Sequence, residues 1–176
     1  ILVNNNAGPP PGVFANWGPD DWQSALDANL LAPTFMIQGV IEGMKARHFG
    51  RIVNITSAMV KSPHAAMGLS TAARSGLTAL CKGLSNEAVA FNVTINNLLP
   101  ERFDTVRQKF MAKVLMERQG ITLEQAREAI ANTLNAKRFG QPEEFGDACA
   151  YLCSAQAGFI SGQNLQLDGG SYAGLI

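Results

Sequence analysis

Arg51-Ile52-Val53-Asn54-Ile55-Thr56-Ser57 and, thirteen residues on, Ser70-Thr71-Ala72-Ala73-Arg74 form the stretch whose reading decides the fold. The first part is an apolar run of strand length that ends in a hydroxyl. The second opens a helical pattern that continues to about residue 91. Side chains at i and i+4 share a helix face, so Ser70 and Arg74 can point at one spot. A serine at a strand end thus faces a hydroxyl and a cation one helical turn apart.

Outward from this stretch, residues 1–3, 93–97 and 164–167 also read as short strands beside 51–55. Helical patterns separate them. One opens at Pro19-Asp20-Asp21-Trp22, with proline and acids in its first turn, and ends before Gly50. Its apolar positions are Trp22, Leu26, Leu30, Phe35, Ile37, Val40, Ile41 and Met44. Residues 105–120 and 123–136 read as a helical pair, and 142–153 as a last helix with Pro142 and Glu143-Glu144 at its start. Strands alternating with helices of this length imply parallel βαβ units. The expected fold is α/β, a doubly wound, Rossmann-like parallel sheet in one domain over residues 1–176, with a helical lid at about 105–136. The N-terminal half of such a fold, on the order of two βαβ units, is expected to be missing from this chain.

Lys plus Arg number 14 and Asp plus Glu number 14, which leaves no basic excess for nucleic acid. No apolar run reaches the length of a membrane span, so no membrane partner is expected. Cys81, Cys149 and Cys153 lie in apolar helical patterns and read as buried free thiols. They point to a reducing, cytoplasmic setting, and no metal site is expected.

Several motifs together resemble the short-chain dehydrogenase/reductase family. Asn5-Asn6-Ala7-Gly8 after the first strand looks like the family's Asn-Asn-Ala-Gly, although composition alone also allows a plain turn. Ile52 to Ser57 matches the strand that carries the family's catalytic serine. Arg138-Phe139-Gly140-Gln141-Pro142-Glu143-Glu144 and Asp168-Gly169-Gly170 resemble two structural motifs of the family. The resemblance spans nearly the whole chain and lies nearest the 3-oxoacyl-carrier-protein reductase-like subgroup. It implies NAD or NADP as cofactor, although the phosphate-binding glycine loop is absent from this chain. It implies hydride transfer to or from a small carbonyl or alcohol substrate. It also implies a homodimer or homotetramer built through the helices near 20–47 and 70–91.

The resemblance assigns catalytic positions to Ser57, Asn29, Ser70 and Arg74. Cofactor-binding positions fall on Asn6, Ala7, Gly8, Arg74, Pro100 and Thr105. Asn29 sits mid-helix, where asparagine is unfavourable, and either faces solvent or maps to the family asparagine that holds a relay water. Asp104-Thr105 reads equally as a helix cap or as the family's cofactor contact.

Three positions depart from the pattern. Ser70 stands where the family has tyrosine, Arg74 where it has lysine, and Glu101 where it has a glycine after Pro100. A serine hydroxyl is far too weak an acid to replace tyrosine without an adjacent strong base. Arginine keeps the charge and can bond a ribose hydroxyl or a phosphate, but it does not deprotonate. His64 is a candidate substitute acid. The tyrosines, Tyr151 in an apolar helix and Tyr172 in the tail, are not evident replacements; Tyr151 is expected in the core. Two functions follow: an NAD(P)-dependent oxidoreductase, or a redox-impaired binding or structural subunit.

Overall fold

The structure is a computed structural model and describes residues 1–175. Four parallel strands, β1 (Leu2–Asn4), β2 (Gly50–Ile55), β3 (Val93–Pro100) and β4 (Asn164–Leu167), lie side by side in chain order. Between them run α1 (Pro19–Leu26), α2 (Ala32–Ala46), α3 (Gly68–Ala88), α4 (Val106–Gln119), α5 (Leu123–Asn132) and α6 (Pro142–Cys153).

Successive strand residues face opposite sides of a sheet, so a strand covered on both sides is apolar at odd and even positions alike. Strand β2 shows this directly. Ile52 joins Val93 and Ile95 beneath α2 and α3, in a core with Ile37, Ile41, Met44, Leu77 and Cys81. Val53 joins Leu98 on the other face, against Leu152 of α6 and Ala157. Helices on both faces of a parallel sheet give the doubly wound architecture. A third small core, Ala112, Ala126, Ile130 and Phe139, holds α4 against α5. Among the described residues no helix is long and apolar enough to cross a membrane.

The chain departs from its sequence reading in places that have physical causes. The helix expected over residues 20–47 is interrupted at residues 27–31 by a π-helical segment. Its buried positions from Ala25 through Asn29, Pro33 and Ile37 to Ile41 step by four, and Met44 follows after three. Four residues of α-helix turn about 40° past a full circle, so four such steps would drift about 160° off one face. The wider i→i+5 turn of the π segment turns the chain less per residue and absorbs part of that drift. Phe35 falls off the buried face and is 61% exposed. Helix α5 stops at Asn132, short of residue 136. There the Thr133 hydroxyl donates to Ile130 O at 2.7 Å, and Asn135 Nδ2 donates to Gly170 O at 2.6 Å. Tyr151 is 50% exposed rather than in the core. Cys81 is buried, but Cys149 and Cys153 are only half-buried.

Helix α6 starts with a charge-dependent brace. Arg138 grips Glu144 at 2.8 and 2.7 Å, and Glu144 Oε2 accepts from the Gln141 N–H at 2.7 Å. The bond from Arg138, then that from the Gln141 backbone, lowers the Glu144 carboxyl from 4.5 to about 2. A carboxyl lowered on folding stabilises the fold above its unfolded value and loses that contribution as pH falls toward the folded one. The melting-temperature difference between wild type and Glu144→Gln should therefore be constant above pH 4.5 and shrink as pH drops toward 2. A difference that does not change with pH would contradict this assignment.

Candidate active site

The carboxyl ends of β1 and β2 carry the site, and Arg74 ties them together. From α3 its Nη1 donates to Ile55 O at 2.7 Å and Thr56 O at 2.8 Å, and its Nη2 donates to Asn6 O at 2.9 Å. Arg74 is 7% exposed. It therefore braces the chain just before Ser57 against the turn after β1, with three of its five N–H groups committed to main-chain carbonyls. Its Nε and one Nη2 hydrogen remain uncommitted among the described residues. Burial, then the neighbouring Arg107 guanidinium, pushes Arg74 down to about 10, so it stays a cation at neutral pH.

Ser57 caps the short 3-10 turn after β2 by accepting from Met59 N–H at 3.2 Å. Its own hydroxyl hydrogen is thereby left to donate outward. Ser70 is buried on the first turn of α3. Gly8 lies opposite: a Cβ built there would be 3.3 Å from Arg74 Nη2 and 3.6 Å from Ser70 Oγ. Asn6 Nδ2 donates to Ala28 O, which fastens the same turn to the π segment.

Asn29 is 3% exposed, which excludes the solvent-facing alternative. With Asn4, Asn6, Pro33, Ile55, Arg74 and Leu77 it lines one small cavity. Three buried polar atoms of those residues, Asn4 Oδ1, Asn29 Oδ1 and Arg74 Nε, have no partner among the described residues. π segments recur where a helix must aim one residue at a functional site, and Asn29 sits inside this one.

Sequence reading missed the asparagine ladder behind this site. Asn4 Nδ2 donates to Asn54 Oδ1 at 2.8 Å, Asn54 Nδ2 to Asn97 Oδ1 at 3.1 Å, and Asn97 Nδ2 to Asn164 Oδ1 at 2.8 Å. These residues are direct register partners across all four strands. The available signal was an apolar residue followed by asparagine in β1 and again in β2, Val3-Asn4 and Val53-Asn54. Trp17 was also missed. The loop after β1 is strapped to the entry of α3 by Gly12 N–H on Ala66 O at 2.9 Å. The Trp17 ring fills the space beside both Gly12 and Gly68, where a Cβ would lie 2.5 and 2.8 Å from it.

The other expected positions fall at the same end of the sheet. Ala7 is exposed, and Pro100 ends β3 in register with Leu167. Thr105 is exposed at the N-cap position of α4 but makes no side-chain cap. Asp104 does not cap α4 either, because its carboxylate accepts from Arg127 at 2.9 Å. No hydrogen bond among the described residues joins Pro100 or Thr105 to the Ser57–Arg74 group. Glu101 is engaged by Arg102 at 3.7 Å, and its N–H continues the ladder to Leu167 O. His64 is exposed and spends Nδ1 on the Ala66 N–H, as a turn cap.

A parallel sheet with polar groups gathered beyond its carboxyl ends, a strand-end serine and a helix-borne hydroxyl and cation together define the class. The chain belongs to the short-chain dehydrogenase/reductase family. The family model described as enoyl-(acyl carrier protein) reductase matches residues 1–172. The NADPH-dependent reductase BacG of Bacillus subtilis (strain 168) is 32% identical over 171 residues, 97% of this chain and 66% of that relative. The acetoacetyl-CoA reductase of Cupriavidus necator is 30% identical over 174 residues, 99% of this chain and 66% of the relative. The crystal structure of YwfH, an NADPH dependent reductase involved in bacilysin biosynthesis, superposes with a TM-score of 0.92 at 30% identity, over 99% of this chain and 67% of that one. The chain thus spans about two thirds of the length of these relatives.

Proposed function

We propose that the protein is an NAD(P)-dependent oxidoreductase that acts on a carbonyl or alcohol carbon, in the manner of 3-oxoacyl reductases. The observation that carries this reading is Ser57. Its hydroxyl accepts from a backbone N–H at the open end of the sheet and keeps a hydrogen to offer a substrate oxygen. The relatives named above are reductases, which lends no support to a redox-impaired subunit.

The crevice fits the part of a dinucleotide that this chain can meet. Gly8 leaves its backbone approachable, Ala7 and Thr105 are exposed, and Glu101 is held by Arg102. Asn6, Ala7 and Gly8 would line the adenosine side; Pro100 and Thr105 would border the nicotinamide. The bound dinucleotide supplies the hydride. Ser57 polarises the reacting oxygen by donating to it. Ser70 places a second hydroxyl nearby, and Arg74 adds fixed positive charge where negative charge develops. Arg74 does not relay the proton, which comes from solvent. Without a tyrosine acid the rate is expected to be about 10²–10⁴-fold below that of a family member that has one.

The α4–α5 pair would act as the substrate lid. Exposed Phe35 and Met36 on α2 and Leu80 on α3 would pack in a homodimer or homotetramer, and the cytoplasm is the proposed setting.

The test is a nicotinamide fluorescence titration of the full-length protein, followed by a screen of carbonyl substrates. Ser57→Ala should lower kcat roughly 10²-fold or more and leave the NADPH Kd unchanged. Tight cofactor binding with no turnover across the screen would sink the oxidoreductase reading.

A further inference from the structure

We propose that a cavity beyond the carboxyl ends of β3 and β4 binds a small organic cation, an ammonium group on an apolar body the size of a benzene ring. The cavity measures about 160 Å³. It shares no residue with Ser57, Ser70 and Arg74, nor with the cavity beside Asn29. The site stands independently of the oxidoreductase reading.

Its lining comes from three separate segments, near residues 101–103 after β3, 134–140 between α5 and α6, and 167–169 at the end of β4, with Glu144 of α6. Phe103, Leu134, Ala136 and Leu167 give it apolar walls. An apolar cavity of about 150 Å³ has room for a benzene ring. The walls are fixed before any ligand arrives. Leu134 is buried, and Phe103 meets Phe145 edge-on with ring centroids 5.2 Å apart. Gly140 N–H donates to Arg102 O at 3.2 Å, and Asp104 N–H donates to Gly140 O at 2.8 Å, which ties the first two segments together. Two residues in these turns, Arg102 and Lys137, hold left-handed φ values of 53° and 55° without being glycine. Such conformations cost energy and cluster at ligand sites, where the surroundings enforce them.

The charge at the mouth selects the ligand. Pro100 pairs with Leu167, and Glu101 N–H donates to Leu167 O, so Glu101 and Asp168 follow side by side past the last register pair. Like charges placed opposite each other across two strands repel. Glu101 is also the residue that stands where the family's pattern has glycine, and the proposed reaction does not use its charge. Asp168 accepts from the Gly170 and Tyr172 N–H groups at 3.0 and 2.7 Å, neutral donors that leave its charge in place. Arg102 reaches Glu101 only at 3.7 Å. Arg138 and Glu144 are spent on each other at 2.8 and 2.7 Å. Even with Arg102 counted, acids outnumber bases three to two. A cation gains from this field, an anion is repelled, and a neutral ring gains only apolar contact.

Benzylammonium, benzyl alcohol and phenylacetate share a ring and differ in charge, so they are the probes. Each is titrated into full-length wild type, Glu101→Gln and Leu134→Phe by ligand-observed NMR, with melting temperatures checking the fold. Wild type should bind benzylammonium with a Kd on the order of 1 mM, about fivefold tighter than benzyl alcohol, with phenylacetate weakest. Glu101→Gln should raise the benzylammonium Kd about threefold and leave benzyl alcohol unchanged. Leu134→Phe, whose larger side chain enters the cavity, should remove both, and saturating NADPH should displace neither. Benzylammonium that binds no better than benzyl alcohol, that binds Glu101→Gln equally well, or that does not bind at about 10 mM overturns the proposal. Displacement by NADPH overturns it too, since the ring would then occupy the cofactor crevice. If Leu134→Phe melts too low to be read, Glu101→Gln decides alone.

Discussion

Replacing Arg74 with methionine should destabilise the fold by about 2–4 kcal/mol, because the change leaves polar main-chain groups without donors. Methionine keeps much of the volume and removes the three bonds to Ile55 O, Thr56 O and Asn6 O. Those carbonyls belong to two separate segments at the sheet's open end, so losing them loosens both sides of the site at once. Part of the cost is offset, because the change also removes a buried cation that Arg107 repels. Arg74→Lys should fall between: its ammonium has the charge but not the planar fork that spans both segments. Urea denaturation of the three proteins measures this. A loss below about 1 kcal/mol for Arg74→Met would show that Arg74 is not the brace described here.

The second large effect lies in the sheet. Asn54 is fully buried and takes part in two of the three links of the asparagine ladder, and it also donates to Cys81 Sγ at 3.2 Å. Asn54→Ala strands the Asn4 amide donor and the Asn97 carbonyl oxygen and opens a void. The expected loss is about 2–4 kcal/mol, since each buried group left unpaired costs about 1–3 kcal/mol. Asn54→Asp separates pairing from packing. Its carboxylate still accepts from Asn4 but presents an acceptor to an acceptor at Asn97. Protonation restores a donor, so Asn54→Asp should lose more stability at neutral pH than at acid pH. Equal losses at both would mean that packing, not the ladder, sets the cost.

Where hydrophobic period and helix punctuation decide, the sequence was readable. Pro142 and the following acids locate α6, and the run at 164–167 locates β4, to the residue. Strand β3 ran on to Pro100 because β4 pairs with residues 97–100, a partnership that Leu-Leu-Pro does not announce. Helical spacing put Ser70 and Arg74 on one face of α3, and the resemblance to the family is what joined Ser57 to them. What Arg74 does there followed from neither, because its partners are carbonyls from segments 18 to 68 residues away. Arg107 belongs to none of the motifs quoted above, and on α4 it is exposed. Only the packing of that helix brings its guanidinium near Gly8 and Arg74. Asn29 gave a sharper signal, a poor helix former mid-helix, yet nothing in the spacing of Leu26 and Leu30 betrayed the π segment around it.

That segment gives the first long helix two clients with different demands. Downstream, Ile37, Ile41 and Met44 must meet the sheet; upstream, Asn29 must meet the cavity beside Arg74. A uniform helix has one phase and can be tuned for only one of them. The π turn works as a phase shifter, one residue of slack that lets each half keep its own setting. Deleting a residue from 27–31 would heal the helix locally and throw its two halves out of step, so the irregularity is what allows core and site to share one rod.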